Sequence, residues 1–193
     1  MVEYAGTEAE PLTDGEARAE KARIRRESKD AAAAMGPEAR AAAGKRIAEQ
    51  VLSLPSWKRA ETVMAFAAMP LEPDTAPLLE AALSEGKTLL LPRCEDGARM
   101  RVLPVRDLKS LAPGRMGIPE PPEAEEGPEP DLILVPCVAA ARDGRRLGHG
   151  AGYYDRYLEG RGAETVCLCF RSCLRDDLPA CGHDVRMDRV ITD

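Results

Sequence analysis

The chain has 193 residues, 44% of them hydrophobic, and a formal net charge of -6. That length suits one domain with a buried core, and the acidic balance argues against nonspecific nucleic-acid binding, which draws on a basic surface. No apolar run approaches the ~20 residues of a membrane span, and the acidic opening MVEYAGTEAEPLTDGE has no apolar stretch to act as a secretory signal, so a cytoplasmic location is expected.

Residues 1–14 read as a flexible tail ahead of a single domain, 15–193. From about 15 to 34 the chain is rich in Ala, Glu, Lys and Arg and predicts a helix, which Gly36-Pro37 ends. A second helix is expected over 38–53, with Ala39, Ala43, Ile47 and Val51 on one face, and Pro55 closes it. TVMAFAAM (62–69) reads as a buried strand. Asp74 can cap a helix from Thr75 to Ser84, and Gly86 is a natural stop. KTLLLPR (87–93) predicts a strand, and ARMRVLPV (98–105) a half-exposed one. Residues 112–130 hold many Pro, Gly and Glu and read as a surface loop. DLILVPCVA (131–139) is the most apolar strand and is placed at the centre. A helix follows the next glycines and runs to Gly160, then ETVCLCF (164–170) and DRVITD (188–193) supply two more strands. Strands alternating with helices predict an α/β fold with a mostly parallel sheet, covered by helices on both faces.

Cys167, Cys169, Cys173 and Cys181, with His183 nearby, raise the question of zinc. They contain no CxxC pair, and two of them lie in a strand, so they are read as small buried hydrophobes. GKT at 86–88 is not a P-loop: Ala81 stands where the first glycine belongs, and a helix precedes it where a P-loop has a strand. The informative stretch is RLGHGAGYYDR, Arg146 to Arg156, with Gly148, Gly150 and Gly152 alternating and three of the four tyrosines close by. Its spacing differs from the dinucleotide fingerprint. A glycine loop that follows a strand and opens a helix still favours an anion, because its backbone N–H groups can approach a ligand closely. Arg142, Arg145 and Arg146 bring cations to the same place. A solvated surface turn is the bland alternative. The Tyr pair suits stacking on a planar ring, and Asp155 can reach a metal held by phosphates.

RLGHGAGYYDRYL resembles the signature loop of the 5-formyltetrahydrofolate cyclo-ligase family. The resemblance runs in order through Lys21 and Arg25 (K-x-x-x-R), FAAMPLEPDT at 66–75, LPR at 91–93, GIPEP at 117–121, DLILVPCVA, the loop, and HDVRMDRVIT at 183–192. It implies the family's own α/β fold and an ATP- and Mg²⁺-dependent closure of 5-formyltetrahydrofolate to the 5,10-methenyl form, by a protein acting as a monomer. Lys21, Arg25, Arg146, Leu147, Gly148, His149, Gly150, Ala151, Gly152, Tyr153 and Tyr154 would bind ATP, with Arg146 and Tyr153 catalytic. Ala67, Glu72 and the segment from His149 to Tyr153 would line the folate side, His149 through its backbone, and Asp155 and Asp184 would hold Mg²⁺.

The match departs at Cys137, where the family has Gly, and at Ala140 and Ala141, where it has Phe-Asp. Cys173 and Leu174 stand near a usual Gln, and Cys181 near a usual Glu. These changes are expected at packing and pocket-lining positions, with Ala140 and Ala141 enlarging the pocket. Two other readings stay open: an ATP-dependent enzyme of this fold acting on another N-formyl or folate-like compound, and a non-enzymatic nucleotide- or folate-binding module.

Overall fold

The structure is a computed structural model that describes residues 13–114, 117–179, 182 and 184–193. Nearly all of the expected tail, together with Cys181 and His183, lies outside the described residues. Helix α1 (Asp14–Ala34) starts from a capping box: Thr13 Oγ1 accepts from Glu16 N–H, and Glu16 Oε2 accepts from Thr13 N–H at 2.9 Å, so two orphan N–H groups are satisfied at once. Gly36, at φ +74°, breaks it from α2 (Gly36–Ser53). The buried face of α2 carries Ala43, Gly44, Ile47, Ala48 and Val51, the period-3.6 stripe that a core-facing helix needs. A short α3 (Pro55–Arg59), which the sequence pattern did not suggest, buries Trp57.

Strand β1 (Thr62–Met64) is shorter than the apolar run around it. The chain leaves the sheet at Phe66, whose carbonyl accepts from the Thr75 hydroxyl at 2.6 Å. Pro70 and Pro73, lacking N–H groups, could not extend a ladder. Helix α4 (Ala76–Ser84) follows, with Asp74 Oδ1 accepting from Ala76 N–H at its entry. Then come β2 (Thr88–Cys94), β3 (Met100–Val105), and a two-residue pairing of β4 (Ala112–Pro113) with β5 (Pro119–Glu120) inside the expected loop. Strand β6 (Leu132–Pro136) stops at Pro136 for want of a donor, and the expected run to 139 divides into β6 and a separate β7 (Ala139–Ala141). The remaining elements are β8 (Arg146–Leu147), α5 (Tyr153–Leu158), β9 (Glu164–Leu168), β10 (Leu174–Arg175) and β11 (Arg189–Ile191).

The main sheet has six strands in the order β11-β9-β6-β1-β2-β3. All its pairings are parallel except β2 with β3. Leu132 to Val135 of β6 and Thr165 to Leu168 of β9 are buried residue after residue, as in strands covered on both faces. A second, three-stranded sheet, β10-β7-β8, carries the chain from the main sheet to the glycine loop. Cys137, Cys167, Cys169 and Cys173 are free and buried in the core. Among the described residues no helix is long and apolar enough to cross a membrane.

Candidate active site

After β1 the chain moves outward to β2 and β3, then returns to place β6 on the other side of β1. Such a reversal opens a crevice at the carboxyl ends of the strands, where open α/β sheets bind ligands. A cleft of about 550 Å³ lies there, reached by Phe66 and Ala67 after β1, Pro92 and Cys94 of β2, and Pro136 of β6. Its volume is that of a site for an organic ligand.

One wall is α1. Arg18, Lys21 and Arg25 face the cleft, three and four residues apart and so on one helix face. Lys21 Nζ meets Asp184 Oδ2 at 2.6 Å, and Arg25 Nε donates to the Gly148 carbonyl at 2.8 Å. Arg18 was not singled out in the sequence, although its spacing to Lys21 and Arg25 carried the signal.

The floor is the glycine loop. Arg146 and Leu147 are buried in β8, and Arg146 Nη2 meets Asp155 Oδ1 at 2.9 Å. Gly150 and Gly152 have φ of +106° and +75°, a region open to glycine at little cost. A Cβ on Gly150 would stand 3.3 Å from Arg25 Cζ, so the guanidinium is packed on the bare backbone. Arg156 Nη1 donates to the Ala151 carbonyl at 2.9 Å and closes the loop onto α5. Arg142 and Arg145 do not join it, contrary to the sequence expectation: both are absent from the cleft wall, and Arg145 turns to Asp143 and Asp177 instead. The turn around Gly144, at φ +90°, and the alternation of β8 send Arg145 and Arg146 to opposite sides.

Tyr153 Oη donates to the Glu95 carbonyl at 3.4 Å. Tyr154 is packed beneath Arg146, whose guanidinium carbon lies 6.0 Å from the ring centre. The Tyr154 hydroxyl and Arg146 Nε are buried and make no hydrogen bond among the described residues. Burial, with Glu72 as a nearby negative charge, pushes the Tyr154 phenol well above its usual range, so it stays protonated and can only be a neutral donor or acceptor.

Asp155 and Asp184 are neighbours, since Val185 N–H donates to Asp155 Oδ1 at 3.3 Å. Each is paired with a cation, Arg146 for the first and Lys21 for the second. Among the described residues no group of three His, Cys, Asp or Glu side chains could cage a metal. Two hard carboxylates suit Mg²⁺ all the same, because that ion takes one or two of them and fills its shell with phosphate oxygens and water.

Glu72 also lines the cleft, its side chain only 5% exposed. Met69 N–H donates to Oε2 at 2.8 Å, which fixes the carboxylate, and His149 Nε2 lies 2.9 Å from Oε1. The His149 side chain thus reaches across the loop, beyond the backbone contact expected of it. Cys137 and Cys173 line a small cavity of about 30 Å³ behind Glu72. Contrary to the sequence expectation, Ala140 and Ala141 do not enlarge the cleft. They are buried in β7, where they pair with Leu174 and Arg175 of β10, and they pack the scaffold under the site.

Comparison with known proteins agrees with this geometry. The profile of the 5-formyltetrahydrofolate cyclo-ligase family matches residues 17–193. A 5-formyltetrahydrofolate cyclo-ligase of Mycolicibacterium smegmatis is 38% identical over 141 residues, 68% of this chain and 73% of its own. A probable 5-formyltetrahydrofolate cyclo-ligase of Schizosaccharomyces pombe is 37% identical over 166 residues, 76% of this chain and 81% of its own. The solved structure of the Aquifex aeolicus 5,10-methenyltetrahydrofolate synthetase superposes with a TM-score of 0.78 at 29% identity, covering 88% of both chains. With its mainly parallel sheet, its glycine loop and this span of likeness, the chain belongs to the 5-formyltetrahydrofolate cyclo-ligase family.

Proposed function

We propose that the chain closes 5-formyltetrahydrofolate to 5,10-methenyltetrahydrofolate at the expense of ATP, with Mg²⁺, releasing ADP and phosphate. The observation that carries this reading is the polarity of one cleft. The glycine loop with Lys21, Arg25 and Arg146 would form one end, and the buried Glu72 carboxylate, joined to that loop through His149, the other. Phosphates suit the first end: backbone N–H groups and cations converge there without a general base. A pterin suits the second, since a carboxylate can accept two parallel N–H bonds from its guanidine-like edge.

Between these ends the formyl oxygen would take the γ-phosphoryl group, with ADP leaving. N10 then attacks the activated formyl carbon, the C–O bond breaks, and phosphate carries away the oxygen together with the proton that N10 loses. The substrate supplies both nucleophiles, so the chain's task is alignment and charge balance. Arg146 would leave Asp155 to face the phosphoryl oxygens, and Lys21 would likewise exchange Asp184 for phosphate. Asp155 and Asp184 would then hold Mg²⁺, which when bound would neutralise charge on the phosphate oxygens. Tyr153 would position the folate ring against the loop, and Ala67 would leave room for it.

The test mixes protein, Mg-ATP and 5-formyltetrahydrofolate and follows methenyl-folate absorbance in the near ultraviolet. A rise that needs all three components is expected. Binding of ATP with no rise, or equal turnover of simple formamides in competition, would reject the folate assignment.

A further inference from the structure

The contact between His149 and Glu72 occupies the carboxylate that the proposed pterin would need. Both Glu72 oxygens are engaged, Oε2 by Met69 N–H and Oε1 by His149. The imidazole is 33% exposed and the carboxylate 5%, so the ring is the more accessible partner of a pair that lines the cleft. His149 sits between Gly148 and Gly150, the latter at φ +106°. That backbone is free enough to let the ring swing aside without disturbing β8 or α5.

We propose that His149 is a positioning residue that competes for Glu72 and must yield Oε1 when the pterin edge docks, so that it sets the strength of folate capture. The inference rests on the folate reading of the cleft. Its physics is an exchange: the ligand gains Glu72 only after the imidazole gives up its bond.

The test is calorimetric titration of 5-formyltetrahydrofolate into the chain and its His149→Phe and His149→Gln variants. The Phe variant has no donor and should bind folate about three- to tenfold tighter, the worth of one net hydrogen bond. Gln keeps a donor, so it should retain the competition and bind folate as the unaltered chain does. In turnover the change should appear in KM for folate rather than in kcat. Thermal melts establish that each variant is folded. Equal affinities in all three proteins would overturn the role of His149 while leaving the folate site intact. Failure of the unaltered chain to bind folate at any pH would overturn the site reading and this inference together.

Discussion

At the scale of single residues, the site is a set of cations and carboxylates that satisfy one another until ligand arrives. Arg146 is the most constrained, with its side chain 4% exposed and its charge balanced by Asp155. Asp155→Asn should abolish metal-dependent turnover, by at least about a hundredfold, yet keep an oxygen for Arg146 and remain folded. Asp155→Ala should also lower the thermal midpoint, because a buried cation left without its partner costs about 3–5 kcal/mol. Calorimetry and the absorbance assay on both variants separate the two effects. Gly150 makes a second case. An alanine there would be strained at φ +106° and pressed against Arg25, so Gly150→Ala should raise KM for ATP severalfold and cost about 1 kcal/mol or more of stability. The glycine spacing made this loop legible in the sequence. The Glu72–His149 bond was not, since no local pattern links positions 77 residues apart.

At the scale of elements, α1 supplies one wall of the cleft, with Arg18, Lys21 and Arg25. Its capping box at Thr13 and Glu16 lies two turns before Lys21. Thr13→Ala should cost about 1 kcal/mol of helix stability, seen as faster amide exchange through the first turns of α1 and a modest rise in KM for ATP. Elements with strong local character could be read directly: α1, α2 and α4 from composition and stops, β2, β6 and β9 from apolar runs. The misreadings have physical causes. β1 and β6 are shorter than their apolar runs because prolines and the Thr75 hydroxyl remove ladder partners. The small sheet β10-β7-β8 escaped notice because its strands are two or three residues long and owe their form to tertiary pairing. For the same reason Ala140 and Ala141 looked like pocket residues and are packing residues. Arg145 looked like a phosphate ligand, and only the turn at Gly144 decides that it faces outward.

At the scale of the whole molecule, the last residues are tied back to the domain. Asp193 accepts from Arg171 N–H at 2.9 Å and from Arg46 at 3.2 Å. Burial would raise its carboxyl, but these bonds hold it below the ordinary range. A carboxyl lowered in the folded state contributes stability above its unfolded value, near 3.9, and loses it as the pH falls through the folded value. Asp193→Asn should therefore melt lower than the unaltered chain at about pH 7, and the gap should close in strong acid, below about pH 2. Melting curves across that range check the sign. Lys21 and Asp184, in contact across the cleft, are 163 positions apart in the chain. During synthesis α1 leaves the ribosome long before its carboxylate partner exists, whereas β9 and β11 pair across only 23 positions, Val166 with Arg189. A stalled nascent chain ending before Asp184 should accordingly gain no protease resistance from ATP, whereas the released chain should. On the proposed function, nucleotide would stabilise the folded chain but would not assist the folding of an unfinished one.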